Sequence, residues 1–294
     1  MGLGLARVFL FIVTVVYGGL ATAYVVPLHE QLTQVSLDLI DFCGEERSYA
    51  SEAIVEFSGA EDYSPHEGSM VTRLTNWHFY TPRRSEDHQI LAGAVNLDFF
   101  QRWEELLGML AKESGEPIRS QIQGALVHFL QDVTNPSHVV PVYHGPGLSD
   151  SFDAYPPDVD RLRRAFPTFC KDLKKLSRWT DLLDQAAERS LRDLGQKFDF
   201  IENGQVRSGH FLGLFWKAPD KNDFFGSYGH LGNNFGKTEF SIFITRPRRG
   251  PGGMTREVVR NDNYVIDSSV YEEFAYRRHV DAIVVVAKAL LLVK

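Results

Sequence analysis

The sequence predicts an all-α, mostly helical protein with a single multi-helix domain, and three apolar patterns support this prediction. Behind Pro27, which suits the first turn of a helix, apolar residues recur at helical spacing: Leu28, Leu32, Val35, Leu39 and Phe42. A second stripe with the same period lies in the middle of the chain: Leu126, Phe129, Leu130 and Val133. The third pattern is the apolar C-terminal segment, which predicts a final helix over residues 268–292.

Further helical segments are predicted between these patterns. They cover residues 46–58, ending near Ser58-Gly59, then 87–112, 117–133 and the heavily charged 158–197, which reads as a solvated outer layer. Residues 149–153 resemble a helix start with Ser149 as its N-cap, although the prolines at 156 and 157 soon limit that helix.

Residues 198–262 differ from the rest because they are rich in Gly, Phe and Asn, with short strand-like runs such as Glu239–Thr245. We interpret this stretch as a long irregular insertion or lid, with a β-hairpin as one option. It either borders a binding cleft or forms a surface excursion. No internal repeat or domain linker is evident within residues 24–294, which predicts one domain.

The first 23 residues have the pattern of a secretory signal peptide. Arg7 provides a short positive region, Val8 to Leu20 is apolar, and Ala21-Thr22-Ala23 matches a cleavage site. Cleavage after Ala23 would make Tyr24 the new N-terminus of a secreted or periplasmic protein. The alternative is an uncleaved membrane anchor. The apolar run from Ile283 to Val293 is too short to span a bilayer, so a buried terminal helix is expected there.

The composition limits the classes of partner. The formal net charge of −7 argues against a general nucleic-acid-binding surface, though not against a nuclease whose site is dominated by metal ions. Cys43 and Cys170 are the two cysteines, and the sequence leaves open whether they form a disulfide or remain two buried thiols.

The most informative stretch runs from Gly124 to His144. His128 and Asp132 are four residues apart, so they share one face of the predicted helix, and Asn135-Pro136 stops that helix before His138. An imidazole, a carboxylate and a second imidazole at a helix end suit zinc, which takes nitrogen and oxygen ligands. The alternative is a solvated helix face or a structural pair.

Other candidate ligands are spread over the N-terminal half. His29 lies beside the first apolar stripe, where a lone histidine is usually a packing residue. Asp62 lies in a predicted loop, residues 59–66, that is dense in acids. His78 stands between Trp77 and Phe79, so its ring needs a polar partner, for which either a backbone carbonyl or a metal would serve.

The order and spacing of these groups resemble the zinc-dependent phospholipase C and single-strand nuclease superfamily, over most of residues 24–155. The resemblance rests on a histidine soon after the mature N-terminus, an aspartate in a small acidic loop, a histidine before an aromatic pair, and the central motif: His29, Asp62, His78, His128, Asp132, Pro136 and His138. It implies a mostly α-helical fold with two or three zinc ions in a cleft, hydrolysing phosphate esters.

The resemblance also implies a division of ligands. Asp62, His78 and His128 would hold one zinc ion, and Asp62 would also position the attacking water. Asp132 would bridge to a second zinc ion, which His29 and the amine and carbonyl of Tyr24 would complete.

His138 and Asp153 would belong to a third zinc ion. The family has a histidine where this chain has Ser149. His144 would replace that ligand from the loop, or the third ion would be weak or absent.

Taken with the signal peptide, the resemblance implies an exported, phospholipase C-like phosphodiester hydrolase that uses metal-bound hydroxide. Its partner would be a phospholipid or another phosphodiester, and a lipid substrate would bring it to a membrane surface. One alternative is a single-strand nuclease of the same fold, for which nucleic acid is the partner. The other is a non-catalytic secreted helical protein with a degraded metal site. The sequence does not indicate an oligomeric state.

Overall fold

The computed structural model describes residues 25–46, 51–63, 76–80, 82, 89–90, 95–142, 150–175, 177–220, 223, 225–250 and 253–292. The predicted signal peptide, Tyr24, His144 and Ser149 lie outside the described residues. Asp62 is described only as part of a helix.

The helices form most of the described structure. In chain order they are α1 (Val26–Phe42), α2 (Ser51–Tyr63), α3 (Phe100–Leu110), α4 (Glu116–Asp132), α5 (Pro136–Val139), α6 (Val159–Arg164), α7 (Phe166–Leu173), α8 (Trp179–Leu194) and α9 (Ser268–Leu291). A short kinked segment, Phe211–Leu214, has non-helical backbone angles at Leu212 and Gly213 and is left unnumbered.

The strands form three sheets. They are β1 (Asn76–Phe79), β2 (Gln89–Ile90), β3 (Val95–Asp98), β4 (Lys197–Glu202), β5 (Gln205–His210), β6 (Trp216–Lys217), β7 (Ser227–Tyr228), β8 (Glu239–Gly250) and β9 (Gly253–Val265). One sheet has the order β1-β3-β2, with β1 parallel to β3 and β2 antiparallel to it. A four-stranded antiparallel sheet has the order β5-β4-β9-β8, and β6 pairs with β7.

The prediction of an all-α fold is wrong, because the protein is mixed α/β. About 54% of the structure is helical and about 20% lies in strands. The segment 198–262, interpreted from sequence as an irregular insertion, supplies most of the four-stranded sheet. Its first hairpin turns at Asn203 and Gly204, which have φ angles of 51° and 78°. An Asn-Gly pair is a strong local signal for a two-residue hairpin turn, because both positions need positive φ.

The second predicted helix and the acidic loop after it also need correction. Residues 59–63 are not a loop, since α2 continues through them to Tyr63. Gly59 lies inside the helix, at the point where α1 passes very close to α2. A Cβ atom at this position would lie only 2.7 Å from Cγ1 of Val26. The glycine therefore permits a helix contact and does not end the helix.

Three other helical predictions also need correction. In the predicted helix 87–112, residues 89–90 and 95–98 are strands and α3 begins only at Phe100. The sequence Val-Asn-Leu-Asp at 95–98 alternates apolar and polar residues, which is the period of a strand. The predicted helix 158–197 is divided into α6, α7 and α8. The expected helix start after Ser149 is a turn over residues 151–154.

Helix α4 lies at the centre of the helical layer and packs against α1, α2, α3 and α9. Gly124 lets it approach α2 closely, since a Cβ atom there would lie 2.5 Å from Cβ of Phe57 and 2.9 Å from the carbonyl oxygen of Ile54. The buried apolar side chains form one cluster that includes the inner face of the four-stranded sheet, through Phe198, Phe200 and Tyr264. The sheet and the helices therefore share one core.

The C-terminal helix α9 is largely buried, as its sequence predicts. Within the described ranges, no helix has both the length and the apolarity needed to cross a membrane. The buried guanidinium of Arg278 binds the carboxylates of Asp193 and Asp281 and donates to Ser190 Oγ at 2.7 Å. Ser190 in turn donates to the carbonyl of Val133 at 2.6 Å, so α8 and α9 provide a hydrogen-bond donor for a carbonyl group at the C-terminal end of α4.

Cys43 and Cys170 form a disulfide with a Cα–Cα distance of 5.4 Å. It joins the end of α1 to α7 and encloses 127 positions of sequence. Crosslinking residues this far apart removes much of the conformational freedom of the unfolded chain.

We expect the Cys43→Ser/Cys170→Ser variant to lose about 2–4 kcal/mol of unfolding free energy, because a disulfide that closes a long loop restricts the unfolded state. Urea denaturation with and without a reducing agent measures this loss. Reduction should destabilise the wild-type protein by a similar amount and leave the variant unchanged. Equal stability of the reduced and oxidised wild-type protein would contradict the expectation.

His279 on α9 provides a pH-dependent contribution to stability. Burial, together with the positive charge of Arg278, lowers its pKa from 6.5 to about 3. Below pH 6.5 the unfolded chain therefore binds a proton that the folded chain does not, and the unfolding free energy falls as pH falls towards 3. The slope is about 1.4 kcal/mol per pH unit for one such group.

We expect His279→Gln to reduce the loss of stability between pH 7 and pH 5 by about 2 kcal/mol relative to wild type. Urea denaturation at the two pH values measures the difference. The exposed His210, changed to Gln, is the matched control and should leave the wild-type pH dependence intact. The same dependence in the His279 and His210 variants would show that His279 is not responsible.

Candidate metal centre

The candidate centre is built on the buried face of α4, where His128 and Asp132 are one helical turn apart. Both side chains are fully buried, and His128 Nε2 lies 3.3 Å from Asp132 Oδ2. A carboxylate at this depth needs compensating charge or hydrogen bonds, because the charged form is strongly disfavoured away from water. His78 lies within hydrogen-bonding distance of Asp132, and a cation held between the surrounding imidazoles would provide the rest of that compensation.

Helix α1 contributes His29, whose Nε2 lies 3.5 Å from Asp132 Oδ1 and whose ring stacks on that of His128 at 4.2 Å between centroids. The side chain of Gln131 fixes the ring. Its amide group donates to the carbonyl of His29 and to Thr33 Oγ1, so its oxygen is the acceptor for His29 Nδ1–H. In the neutral ring, Nε2 consequently carries a lone pair that faces Asp132.

The carbonyl of Ser58 on α2 sets the orientation of His128 in the same way. It lies 2.9 Å from His128 Nδ1, and because a carbonyl only accepts, Nδ1 carries the proton. The lone pair at His128 Nε2 then faces Asp132 Oδ2. A backbone carbonyl behind a histidine is the usual outer partner of a metal-ligating imidazole.

Two more imidazoles complete the group. His78, at the end of β1, places Nδ1 3.1 Å from Asp132 Oδ2 and 3.1 Å from His128 Nε2. His138 lies on α5, and the side chain of Asn135 caps the start of this helix by accepting a hydrogen bond from Ser137 N. His138 Nδ1 donates to the carbonyl of His78 and lies 3.9 Å from Asp132 Oδ2.

The buried group His29, His128 and Asp132 can hold a metal ion, since one ligand atom from each lies within 4.8 Å of the others. Two ligands held by a tetrahedral ion at about 2.0–2.2 Å are roughly 3.4 Å apart, which matches both histidine–aspartate separations. Asp132 Oδ1 accepts no hydrogen bond from the described part of the chain. Lone pairs that face a carboxylate oxygen repel it, and a cation between them would remove that repulsion.

The charge states suit a cation. Burial, with the positive charge that His128 would carry, lowers the pKa of His29 from 6.5 to about 3, so this ring is neutral and able to ligate at neutral pH. Burial opposes ionisation of Asp132. The positive charge that His128 and His138 would carry outweighs burial and holds the pKa of this carboxyl well below its usual range. The carboxylate is therefore an anionic ligand with no proton to give.

Asp153 is buried but belongs to a neighbouring polar cluster. Its carboxylate accepts from Asn135 Nδ2 at 2.7 Å and from the backbone of Asp150 at 3.1 Å. Asp150, also buried, accepts from Trp216 Nε1 at 2.8 Å. The backbone carbonyl of Asp153 accepts from Val25 N at 3.1 Å, which joins this turn to the start of α1.

The structure thus brings together five of the predicted ligands: His29, His78, His128, Asp132 and His138. The alternative of a solvated face for His128 and Asp132 is wrong, because both are buried. Asp153 is linked to Asn135, three residues after Asp132. Tyr24 and His144 lie outside the described residues, and so does the side chain of Asp62.

Sequence reasoning missed the groups that orient the ligands. Gln131 has a signal, since it is an amide beside Asp132 on the same helix, but its role depends on how α1 crosses α4. Ser58 acts through its carbonyl, which any residue possesses. Asn135 was assigned only to stopping the helix, whereas its side chain also caps α5 and binds Asp153.

No protein-family model matches this chain. No curated protein and no solved structure matches it either. The superfamily resemblance therefore depends on the quoted residues themselves and on their arrangement.

We expect a divalent transition-metal ion, supplied at about 100 times its dissociation constant, to stabilise the wild-type protein by about 2.7 kcal/mol. Roughly 5–10 °C of added melting temperature corresponds to this gain in a chain of this size. Asp132→Asn should abolish the increase, because it removes the anionic ligand. Gln131→Leu should weaken metal binding about 10- to 100-fold by releasing His29.

His230→Gln is the matched control, since His230 pairs with Glu202 outside this group. It should keep the full metal-dependent increase in melting temperature. An equal increase in the Asp132→Asn variant, shown by circular dichroism to be folded, would locate the metal elsewhere.

Proposed function

We propose that this chain is an exported, zinc-dependent phosphodiester hydrolase of the phospholipase C type. The observation that carries the proposal is the convergence of four imidazoles on one buried carboxylate, Asp132, from α1, β1, α4 and α5. The residues concerned are the ones on which the superfamily resemblance rests. The Cys43–Cys170 disulfide supports export, since disulfides persist mainly in oxidising compartments.

Zinc is the metal that the donor set favours. Imidazole nitrogens and a carboxylate oxygen are typical zinc ligands, and the separations near 3.4 Å suit its tetrahedral coordination. By the resemblance, His78 and His128 would hold one ion with Asp62, and His29 would hold a second with the N-terminal residue Tyr24. Asp132 would be a ligand of both ions, and His138, Asp153 and His144 would hold a third.

When bound, a zinc ion polarises a phosphoryl oxygen and brings the pKa of its water to about 7. The protein residues orient this chemistry. Ser58 and Gln131 fix the two imidazoles with their Nε2 atoms towards Asp132, and Asp132 supplies negative charge without acting as a base. Asp62, by resemblance, positions the attacking water.

A phospholipid is the proposed substrate, with the phosphate placed against the metal ions and the lipid chains outside. Nuclease activity requires aromatic platforms on which bases stack. Phe79 and Phe225 contact each other beside His138, with ring centroids 5.9 Å apart, and Phe79 is buried. A headgroup-release assay beside a digest of denatured DNA separates the two substrates.

We expect the purified mature protein to contain at least two zinc ions per chain and to hydrolyse bis-p-nitrophenyl phosphate. Chelation should abolish hydrolysis and zinc should restore it, because the hydroxide depends on the metal. Asp132→Asn should reduce turnover to background, whereas the control His230→Gln should retain it. Metal analysis and N-terminal sequencing of the same sample establish stoichiometry and the cleavage site.

A folded, zinc-loaded protein without phosphoesterase activity would refute the hydrolase proposal. Fewer than two metal ions per chain, together with no turnover, would instead favour a non-catalytic protein with a degraded site. Digestion of denatured DNA without headgroup release would identify a nuclease.

A further inference from the structure

The four-stranded sheet extends beyond the core as a two-stranded ribbon, which we call the arm: residues 243–248 of β8 and 254–261 of β9. The ribbon leaves the core at Phe240 and Tyr264, whose rings stack at 5.3 Å. Beyond this point every side chain of the arm is exposed, on both faces of the ribbon. A two-stranded ribbon without a packed face is marginally stable in water. We therefore expect the arm to be stabilised by binding a partner.

Strand register places three of the exposed apolar side chains of the arm, Phe243, Val258 and Met254, on one face, which also carries Arg256, whereas Ile244 lies on the opposite face. Cross-strand partners share a face, so the pairs Phe243–Asn261 and Thr245–Val258 fall on the same side, and Met254 joins them because it lies four residues before Val258 on β9. Phe243, Val258 and Met254 are 60%, 57% and 69% exposed. The same face continues at the base of the sheet with a row of paired apolar residues: Val265, Ile201 and Val206.

Exposed apolar surface is concentrated on this sheet. Of the twelve large apolar side chains that are exposed in the described part of the chain, eight lie on β4, β5, β8 or β9. Scattered exposed apolar residues are normal, but a shared face of them marks an interaction site.

The arm is also basic, in an acidic protein. From Arg246 to Arg260 there are five arginines and one glutamate, a net charge of +4, whereas the whole chain carries −7. Arg248 pairs with Glu257 at 3.4 Å while both remain more than half exposed. Arg246 and Arg256 are exposed as well. The partner must therefore be anionic and must also accept apolar side chains.

We propose that the arm docks the protein onto an anionic lipid surface. The face carrying Phe243, Val258 and Met254 would enter the boundary between headgroups and acyl chains, and the arginines would bind lipid phosphates. Nucleic acid would satisfy the arginines but would leave Val258 and Met254 in water, because aliphatic side chains do not stack on bases as aromatic ones do.

A second copy of the chain fits less well. The outer edge strand β8 carries Pro247 between Arg246 and Arg248, and both proline and exposed positive charge oppose strand pairing between copies. The inference goes beyond the proposed hydrolysis, and its test measures binding in the presence of a chelator, so either proposal can fail without the other.

Co-sedimentation of the full chain with phosphatidylcholine vesicles, with and without phosphatidylserine, tests the charge requirement. We expect binding to the anionic vesicles and a strong loss in about 1 M salt, where the Debye length is about 3 Å. Arg246→Gln/Arg248→Gln/Arg256→Gln should weaken binding tenfold or more. The control Lys171→Gln/Lys174→Gln/Lys175→Gln removes the same charge from α7 and the two residues that follow it, and should leave binding within a factor of about three.

A second pair of variants tests the apolar face. Phe243→Ser/Met254→Ser should weaken vesicle binding at unchanged charge, whereas Met109→Ser/Ile118→Ser, exposed to similar extents on α3 and α4, should not. Phe243→Trp should show a blue-shifted emission on addition of anionic vesicles, because its ring leaves water.

Circular dichroism and thermal melts establish that each variant is folded. Equal vesicle binding by the arm and control variants would overturn the proposal. So would arm-dependent retention of single-stranded DNA without vesicle binding, or an arm-dependent dimer in light scattering.

Discussion

The structure depends on a carboxylate, Asp132, that is held fully buried among imidazoles. A buried carboxylate costs several kcal/mol unless charge or hydrogen bonds offset it. Here imidazoles from four separate elements surround the carboxylate and would share a cation that offsets its charge, so α1, β1, α4 and α5 must all occupy their observed positions at once. Any repacking that displaced one of His29, His78 or His128 would leave negative charge uncompensated in the core. The stability of the site and the packing of these four elements therefore depend on each other.

Close helix contacts make that arrangement possible. Gly124 lets α2 pack against α4, and this contact places the carbonyl of Ser58 within hydrogen-bonding distance of His128. Gly59 lets α1 pack against α2 in the same way. On the far side, Ser190 and Arg278 hold the end of α4. The ligands therefore have fixed orientations because the backbones behind them are fixed, as an effective metal site requires.

The sequence predicted α1 and α4 well because apolar residues recur in them at helical spacing, and it predicted α9 from the apolar C-terminal segment. It also predicted that His29, His78, His128 and His138 act together, but only through resemblance, since residues 109 positions apart have no local signal of contact. The sheet was missed because a composition rich in Gly and Asn was interpreted as irregular structure, although Asn203-Gly204 marked a hairpin. Strand pairing between β4 and β9 joins residues more than 60 apart, and no local pattern specifies it.

The distribution of burial around Asp132 indicates where a substrate would approach. The side chains of His29, His128 and Asp132 are 0% exposed and that of His138 is 1% exposed, whereas that of His78 is 11% exposed. Water can therefore reach this group beside His78, and the other ligands lie behind it. A phosphate that replaced such water would meet the ligand on β1 first, next to Phe79. For the proposed reaction, the helices would then supply the fixed anion and imidazoles, and the strand would border the entrance.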